Sequence, residues 1–298
     1  MVLTIGGFDG VHLGHQAIIR QVLDRSRQGL GCAGLVTFEP HPAKLLHPDF
    51  PYLLTPLDEK LVLLAELGIE YVEVLEFNHT LRNLEPEDFI NQFILRLKPG
   101  WVVIGTDHRF GRDARGDIKL LKRILDEHRV GFEVVPEVVH LGAPVRSTRI
   151  REHLVLGHIR LANQLLGRPY AITGRTVKGT GTGRKLGFPT VNLLPVSPDK
   201  LLPAEGVYAG ETTIGTKRFA SAVNIGFRPT FDGRERSIEV HLLDFIDEVL
   251  PGTEITLRLF EHLRPEQRFS SPDALRQQVS VDILRVRQIY ERERKPDH

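Results

Sequence analysis

Hydrophobic positions in the first half of the chain alternate between two rhythms. Val2–Ile5 is a short apolar run ended by Gly6-Gly7, and Gln16–Arg27 carries apolar residues at 18, 19, 22 and 23, the spacing of one helix face. Ala33–Phe38 repeats the strand pattern, and Pro40, Pro42, Pro48, Pro51 and Pro56 punctuate the loop behind it. Leu57–Leu67 is predicted as a helix stopped by Gly68, Tyr71–Phe77 as a strand, and Pro86–Leu97 as a helix opened by proline and ended before Pro99-Gly100. Trp101–Ile104, Ile118–His128 and Phe132–Val135 continue as strand, helix and strand. Such β-α-β-α repetition predicts a parallel sheet covered on both faces, with ligands at the carboxyl ends of its strands. The chemistry is therefore expected in the loops that begin at Gly6, Glu39 and Gly105.

Beyond Gly167-Arg168-Pro169 the rhythm changes. Ala171–Lys178, Val207–Thr213, Phe219–Ile225, Ile238–Leu243 and Ile255–Phe260 are short, often alternating runs separated by Gly, Pro and Asp, the pattern of a small antiparallel barrel. Ser271-Pro272 opens a terminal helix whose Leu275, Val279, Ile283, Val286 and Ile289 form one apolar stripe facing the barrel. The Arg/Glu-rich Tyr290–His298 tail is expected to be solvated.

Composition narrows the function classes. The 298 residues provide for two cores, and 41% apolar with 26% charged residues is ordinary for a globular chain. Lys and Arg number 39 against 38 Asp and Glu, which removes the basic excess of a general nucleic-acid binder. The single cysteine, Cys32, excludes intrachain disulfides and is expected as a buried small hydrophobe. No signal-peptide pattern and no membrane-length apolar run is seen, so the cytoplasm is the expected setting.

The first candidate site is Gly6-Gly7-Phe8-Asp9-Gly10-Val11-His12-Leu13-Gly14-His15. Glycines allow close backbone approach, a helix starting near Gly14 aims free N–H groups there, and two histidines add donors for an anion such as a phosphoryl centre. The alternative is a glycine-rich turn with two exposed histidines. Gly105-Thr106-Asp107-His108-Arg109-Phe110-Gly111 falls on the same sheet edge; Asp107 can bind ribose or adenine and Phe110 can stack on a flat ring, or the pair is a turn and a core phenylalanine. Val145–Arg151 opens a helix with Ser147, Thr148 and three arginines, suited to triphosphate oxygens or simply a solvated basic helix start.

In the second half, Gly179-Thr180-Gly181-Thr182-Gly183 lacks the following helix of a dinucleotide fingerprint. Gly183-Arg184-Lys185-Leu186-Gly187 can cover phosphates. Thr190 and Asn192 share a face if extended and are hard ligands for Mg²⁺, the alternative being the polar face of a strand. Glu239, in an otherwise apolar strand, is either a base for a hydroxyl nucleophile or a solvated carboxylate.

These segments together resemble the prokaryotic bifunctional riboflavin kinase/FMN adenylyltransferases, also called FAD synthetases. The resemblance runs from Leu3 to about Tyr290 and rests on GGFDGVHLGH, TFEPHP, GTDHRFG and RSTRIR in the first half. In the second half it rests on GRKLGFPTVN, GVYAG, NIGFRPTF and EVHLLDF, with LLGRPY at the junction. It implies a Rossmann-like α/β parallel-sheet nucleotidyltransferase domain over residues 1–158, a linker over 159–168, and a small antiparallel β-barrel riboflavin kinase domain with a C-terminal helix over 169–298. It implies phosphorylation of riboflavin to FMN, then adenylylation of FMN to FAD and pyrophosphate. ATP would be the substrate of both steps, with Mg²⁺, and with no nucleic acid, membrane or obligate protein partner. By resemblance, His12 and His15 stabilise the α-phosphate transition state. Gly6, Phe8 and Asp107 bind ATP, and Ser147, Thr148 and Arg151 hold its outer phosphates. Pro40, Pro42 and Phe110 line the flavin pocket. Gly183 and Gly187 bind ATP in the kinase site, Thr190 and Asn192 hold the metal, and Glu239 is the base. The chain departs from the family in starting directly at the first strand, in Arg146 where Ser is usual, and in His108 where Phe is usual. A nucleotidyltransferase with another phosphorylated acceptor is the alternative that the His-x-Gly-His turn permits and the barrel motifs oppose.

Overall fold

A computed structural model of the chain describes residues 1–294 apart from 47–49, 51, 180–182, 184–186, 231–232 and 248. The chain divides into two compact units, Met1–Ser147 and the residues from Thr148 onward. In the first, β1 (Val2–Ile5), α1 (Leu13–Arg25), β2 (Ala33–Glu39), α2 (Pro42–Leu46), α3 (Leu57–Leu67) and β3 (Tyr71–Glu76) come first. They are followed by α4 (His79–Arg82), α5 (Pro86–Phe89), β4 (Trp101–Gly105), α6 (Ile118–Glu127) and β5 (Gly131–Val135). The strands pair in parallel in the order β3-β2-β1-β4-β5. Alternate residues feed two cores. Val2, Leu35 and Val103 pack with Ile19 and Val22 of α1 and Leu64 of α3. Leu3, Val36 and Val102 pack with Phe89, Ile90 and Leu121 on the other face. The chain winds outward from β1 to β3 and then crosses to β4, so the sheet reverses direction between β1 and β4. The crevice beyond the carboxyl ends of those strands, at Gly6 and Gly105, is where such sheets bind ligands.

Two expectations change here. Pro86–Leu97 is not one regular helix: after α5 it widens over Ile90–Ile94 and tightens over Leu95–Leu97. Packing of the fully buried Ile90 and Ile94 outweighs regular spacing, and Lys98 before Pro99 turns left-handed. Cys32 is exposed rather than buried, because it lies in the turn made by Gly31 and β2 begins one residue later. Val139–His140 and Ala143–Pro144 pair as β6 and β7.

α7 (Ser147–Val155) leads to α8 (Ile159–Leu166), which occupies the segment expected as a linker. Ile159, Ala162, Leu165 and Leu166 are buried, and Asn163 donates through Nδ2 to the Leu259 carbonyl at 2.8 Å. Then β8 (Tyr170–Val177), β9 (Val191–Pro195), β10 (Gly206–Ile214), β11 (Lys217–Thr230), β12 (Gly233–Leu242) and β13 (Glu254–Arg264) close an antiparallel barrel in the order β10-β11-β12-β9-β8-β13. β9 realises the strand alternative for Asn192, with Thr190 immediately before it, and is absent from the periodic runs because five residues with the polar Asn192 inside are too short an alternation to read. α9 (Pro272–Arg294) packs Ile283, Val286 and Ile289 on Val207, Phe260 and Leu263. Tyr290, expected in the solvated tail, joins that cluster because it continues the same helical stripe; residues 295–298 lie outside the described residues. Among the described residues no helix is long and apolar enough to cross a membrane.

Candidate active sites

The loop after β1 is held open by buried polar contacts and by strain. Asp9, 2% exposed, accepts from the backbone N–H groups of Thr55 (2.9 Å) and Leu54 (3.2 Å), and Gly10 N–H donates to Thr55 Oγ1 at 2.8 Å. Phe8 and Val11 both have positive φ, +48° and +40°, which costs a non-glycine residue roughly 1–3 kcal/mol and persists only where the surroundings impose it. α1 starts at the end of this loop. His12 is its N-cap, accepting the His15 N–H at Nδ1 (3.3 Å), which puts the ring proton on Nε2. The rings of His12 and His15 stack at 3.6 Å with 16° between planes. His12 is 5% exposed, which removes the reading of two exposed histidines.

A cavity of about 640 Å³ opens beside this turn, lined by Gly6, Phe8, His15, Pro42, Asp107 and Phe110 among others. Gly6, Phe8, His15, Pro42, Asp107 and Phe110 thus meet at the sheet's reversal point, whereas His12 and Ser147 are not among the lining residues. Phe110 is 7% exposed within the core and also forms a wall of the cavity. Pro40 is not among the lining residues; its peptide bond to Glu39 is cis. Ser147 reaches the loop, its hydroxyl donating to the Asp9 carbonyl at 2.8 Å. Thr148 and Arg151 follow on α7 and fall in the second unit. Arg146, exposed, is paired with Glu137. The helix N-terminus, the stacked imidazoles and Ser147 suit an anion whose charge rises during reaction.

Sequence reasoning missed three residues here. Asp9 carries the loop's anchoring bonds. The Nε2 of His41 lies so near Gly7 that a Cβ there would meet it at 2.8 Å, so a larger residue would have to displace the imidazole. Lys60, 2% exposed, donates to the Gly7 carbonyl at 2.8 Å and to Thr37 Oγ1 at 3.2 Å. Its signal was present: Lys60 and Leu64 are four apart on the buried face of α3, where a lysine is out of place.

In the barrel, Thr190 Oγ1 lies 3.4 Å from Glu239 Oε2, and Asn192 is the direct cross-strand partner of Glu239. Ile238 and Val240 face the core while Glu239 and His241 line a cavity of about 650 Å³, with Gly183, Thr190 and Asn224 beside them and Leu275 and Val279 of α9 opposite. The outward face of this strand is therefore a cavity wall and not plain solvated surface. A neighbouring cavity of about 310 Å³ is lined by Lys178, Gly179, Thr190, Phe245 and Asp247, so Thr190 borders both. Asn192 is 6% exposed and its amide nitrogen lies only 1.8 Å from where a Gly179 Cβ would be, so a larger residue at 179 would have to displace the Asn192 amide. Gly187 lines neither cavity and has φ +89°. The cations Arg184 and Lys185 lie outside the described residues. Thr190 offers a hard, neutral oxygen to both cavities, while Asn192 lines neither and stands beside Glu239 across the strands; their donor type suits a cation such as Mg²⁺ completed by phosphate and water. Among the described residues no three His, Cys, Asp or Glu side chains gather as a metal-binding group.

His108, on the wall of the first cavity, has a buried Nε2 without a hydrogen-bond partner. Burial pushes its imidazole down to about 4, against the pull of Asp107. The folded state then binds fewer protons than the unfolded state between about pH 6.5 and pH 4, so the first unit loses stability as pH falls through that window. The full loss is about 3 kcal/mol. His108→Phe is expected to remove it, so that urea midpoints at pH 7 and pH 4.5 converge relative to the parent. An unchanged gap between the two midpoints would show that His108 does not carry the effect.

The family model for FAD synthetase matches residues 1–149, and that for riboflavin kinase matches residues 166–290. The bifunctional riboflavin kinase/FMN adenylyltransferase of Escherichia coli strain K12 is 38% identical over 294 residues, which cover 97% of this chain and 92% of that protein. The enzyme of the same description from Bacillus subtilis strain 168 is 35% identical over 289 residues, covering 94% and 90%. The solved structure of a macrolide-efflux protein from Streptococcus pneumoniae is similar at a TM-score of 0.88 and 30% identity, covering 96% of this chain and 93% of that one.

Proposed function

The chain belongs to the bifunctional riboflavin kinase/FMN adenylyltransferase family, whose two reactions make FMN from riboflavin and FAD from FMN, and we propose that the barrel cavities perform the first and the sheet cavity the second. The observation that carries this division is Thr190, shared by two adjoining cavities of which one holds Glu239 and Gly183 and the other Lys178 and Gly179. Riboflavin occupies the larger cavity with its terminal hydroxyl at Glu239, and ATP occupies the smaller with its γ-phosphate toward Thr190. Glu239 takes the hydroxyl proton as that oxygen bonds to the γ-phosphorus and the bond to the β-phosphate oxygen breaks, releasing ADP. Thr190 and Asn192 would hold Mg²⁺, which when bound spreads the charge of the phosphates.

In the sheet cavity the acceptor is already an ionised phosphate, so no base is required. An oxygen of FMN attacks the α-phosphorus of ATP and pyrophosphate leaves. His15 and the Nε2 of His12 offer donors to the α-phosphate oxygens, and Asp107 binds the adenosine end. Pro42 and Phe110 flank the flavin, and Ser147 serves the outer phosphates. Residues 1–158 are assigned to this step and 169–298 to the kinase, with 159–168 between them. ATP as donor in both steps fits the cytoplasm.

A chromatographic time course with riboflavin and Mg-ATP tests the scheme. FMN is expected to rise first and FAD to follow, and chelation of the metal should stop FMN formation. Absence of FMN would reject the kinase assignment, and absence of FAD after FMN is added would reject the adenylyl assignment.

A further inference from the structure

We infer that Lys60 is a positioning residue for adenylyl transfer, holding the Gly7 carbonyl and placing its charge behind the glycine loop that receives the triphosphate. The inference rests on the adenylyl site being the cavity at the Gly6–His15 loop. Lysine is almost never fully buried unless an anion accompanies it. Here the ammonium is 2% exposed, yet both of its hydrogen bonds end on neutral oxygens, the Gly7 carbonyl and Thr37 Oγ1. Asp9 and Glu39 act on it only through space, and Asp9 spends its oxygens on the backbone N–H groups of Leu54 and Thr55. Burial holds the ammonium below the ordinary lysine range in spite of those two carboxylates.

A fold that needed only packing at this position would be served at least as well by an apolar side chain, since replacing buried charge with a hydrophobe is often neutral or stabilising. What the charge adds is a favourable field for an anion in the adjoining cavity, two glycines away. The hydrogen bond to Gly7 adds shape. Thr37 Oγ1 also donates to the Gly7 carbonyl, at 3.3 Å, so one peptide group of the loop is gripped from two elements, β2 and α3.

The test compares Lys60→Met, Thr37→Val and His15→Ala with the parent, each as the full chain. Riboflavin phosphorylation by the same preparation serves as the internal control. For Lys60→Met, FMN formation should stay within about twofold and the urea midpoint should hold or rise, while KM for ATP in FAD formation rises about tenfold, the scale of one lost charged hydrogen bond. Thr37→Val should raise the same KM about threefold, because the charge remains and one grip is lost. Parent-like FAD kinetics in Lys60→Met alongside an impaired His15→Ala would overturn the inference and leave the site standing. A parent-like His15→Ala would instead remove the site reading, and the inference with it. Loss of kcat together with a lowered midpoint, and no change in KM, would make Lys60 a structural residue only. Should Lys60→Met fail to fold, Thr37→Val decides, with a raised KM supporting the inference and an unchanged one overturning it.

Discussion

Glu239→Gln is expected to slow FMN formation by about a hundredfold to ten-thousandfold, the range for loss of a positioned general base, and to leave conversion of added FMN to FAD unchanged. The substitution is nearly isosteric, and the amide oxygen still accepts from Thr190 Oγ1, now 3.4 Å from the carboxylate. The cross-strand pairs of residue 239 with Asn192 and Asn224 are backbone features and persist. What disappears is the ability to take a proton. FAD formation from supplied FMN reports the first unit, and a parent-like urea midpoint of the barrel reports the second. A folded variant in which both activities fall together would contradict the division between the two units.

The parts of this molecule written in local patterns were legible in the sequence, and the parts that depend on distant partners were not. β1, the helix stopped by Gly68 and the alternation of Ile255–Phe260 follow from periodicity and terminating glycines, which act within a few residues. Convergence of Gly6, Asp107 and Phe110 was also legible, because strand order sends each loop to the same sheet edge. The role of Asp9 was not, because its partners Leu54 and Thr55 lie about 45 residues away and only the folded loop brings them together. Lys60 stands in a charged run with Asp58 and Glu59, and only the lysine of the three is buried. Cys32 misled in the opposite direction, since an apolar neighbourhood in sequence ended in an exposed turn. Glu239 could not be resolved by pattern at all: a strand alternates identically whether its second face meets water or a cavity roofed by Leu275 and Val279.

The complementary substitution, His15→Ala, is expected to lower FAD formation from FMN by about a hundredfold to a thousandfold, the usual cost of one donor at a developing oxyanion, while riboflavin phosphorylation continues at the parent rate. His15 is the better choice than His12 for physical reasons. His12 Nδ1 caps α1 by accepting the His15 backbone N–H, so its removal also costs the helix about 1 kcal/mol and blurs the result. His15→Ala keeps that N–H and hence the cap. It removes only the ring that lines the cavity and stacks on His12. The loss should fall on kcat, because the donor matters most when charge has grown on the α-phosphate oxygens, and KM for ATP should move little. This separates it from Lys60→Met, whose effect is expected in KM. FAD formation at the parent rate in His15→Ala would mean that the imidazole pair is a folding feature of the α1 terminus and that phosphoryl chemistry takes place elsewhere.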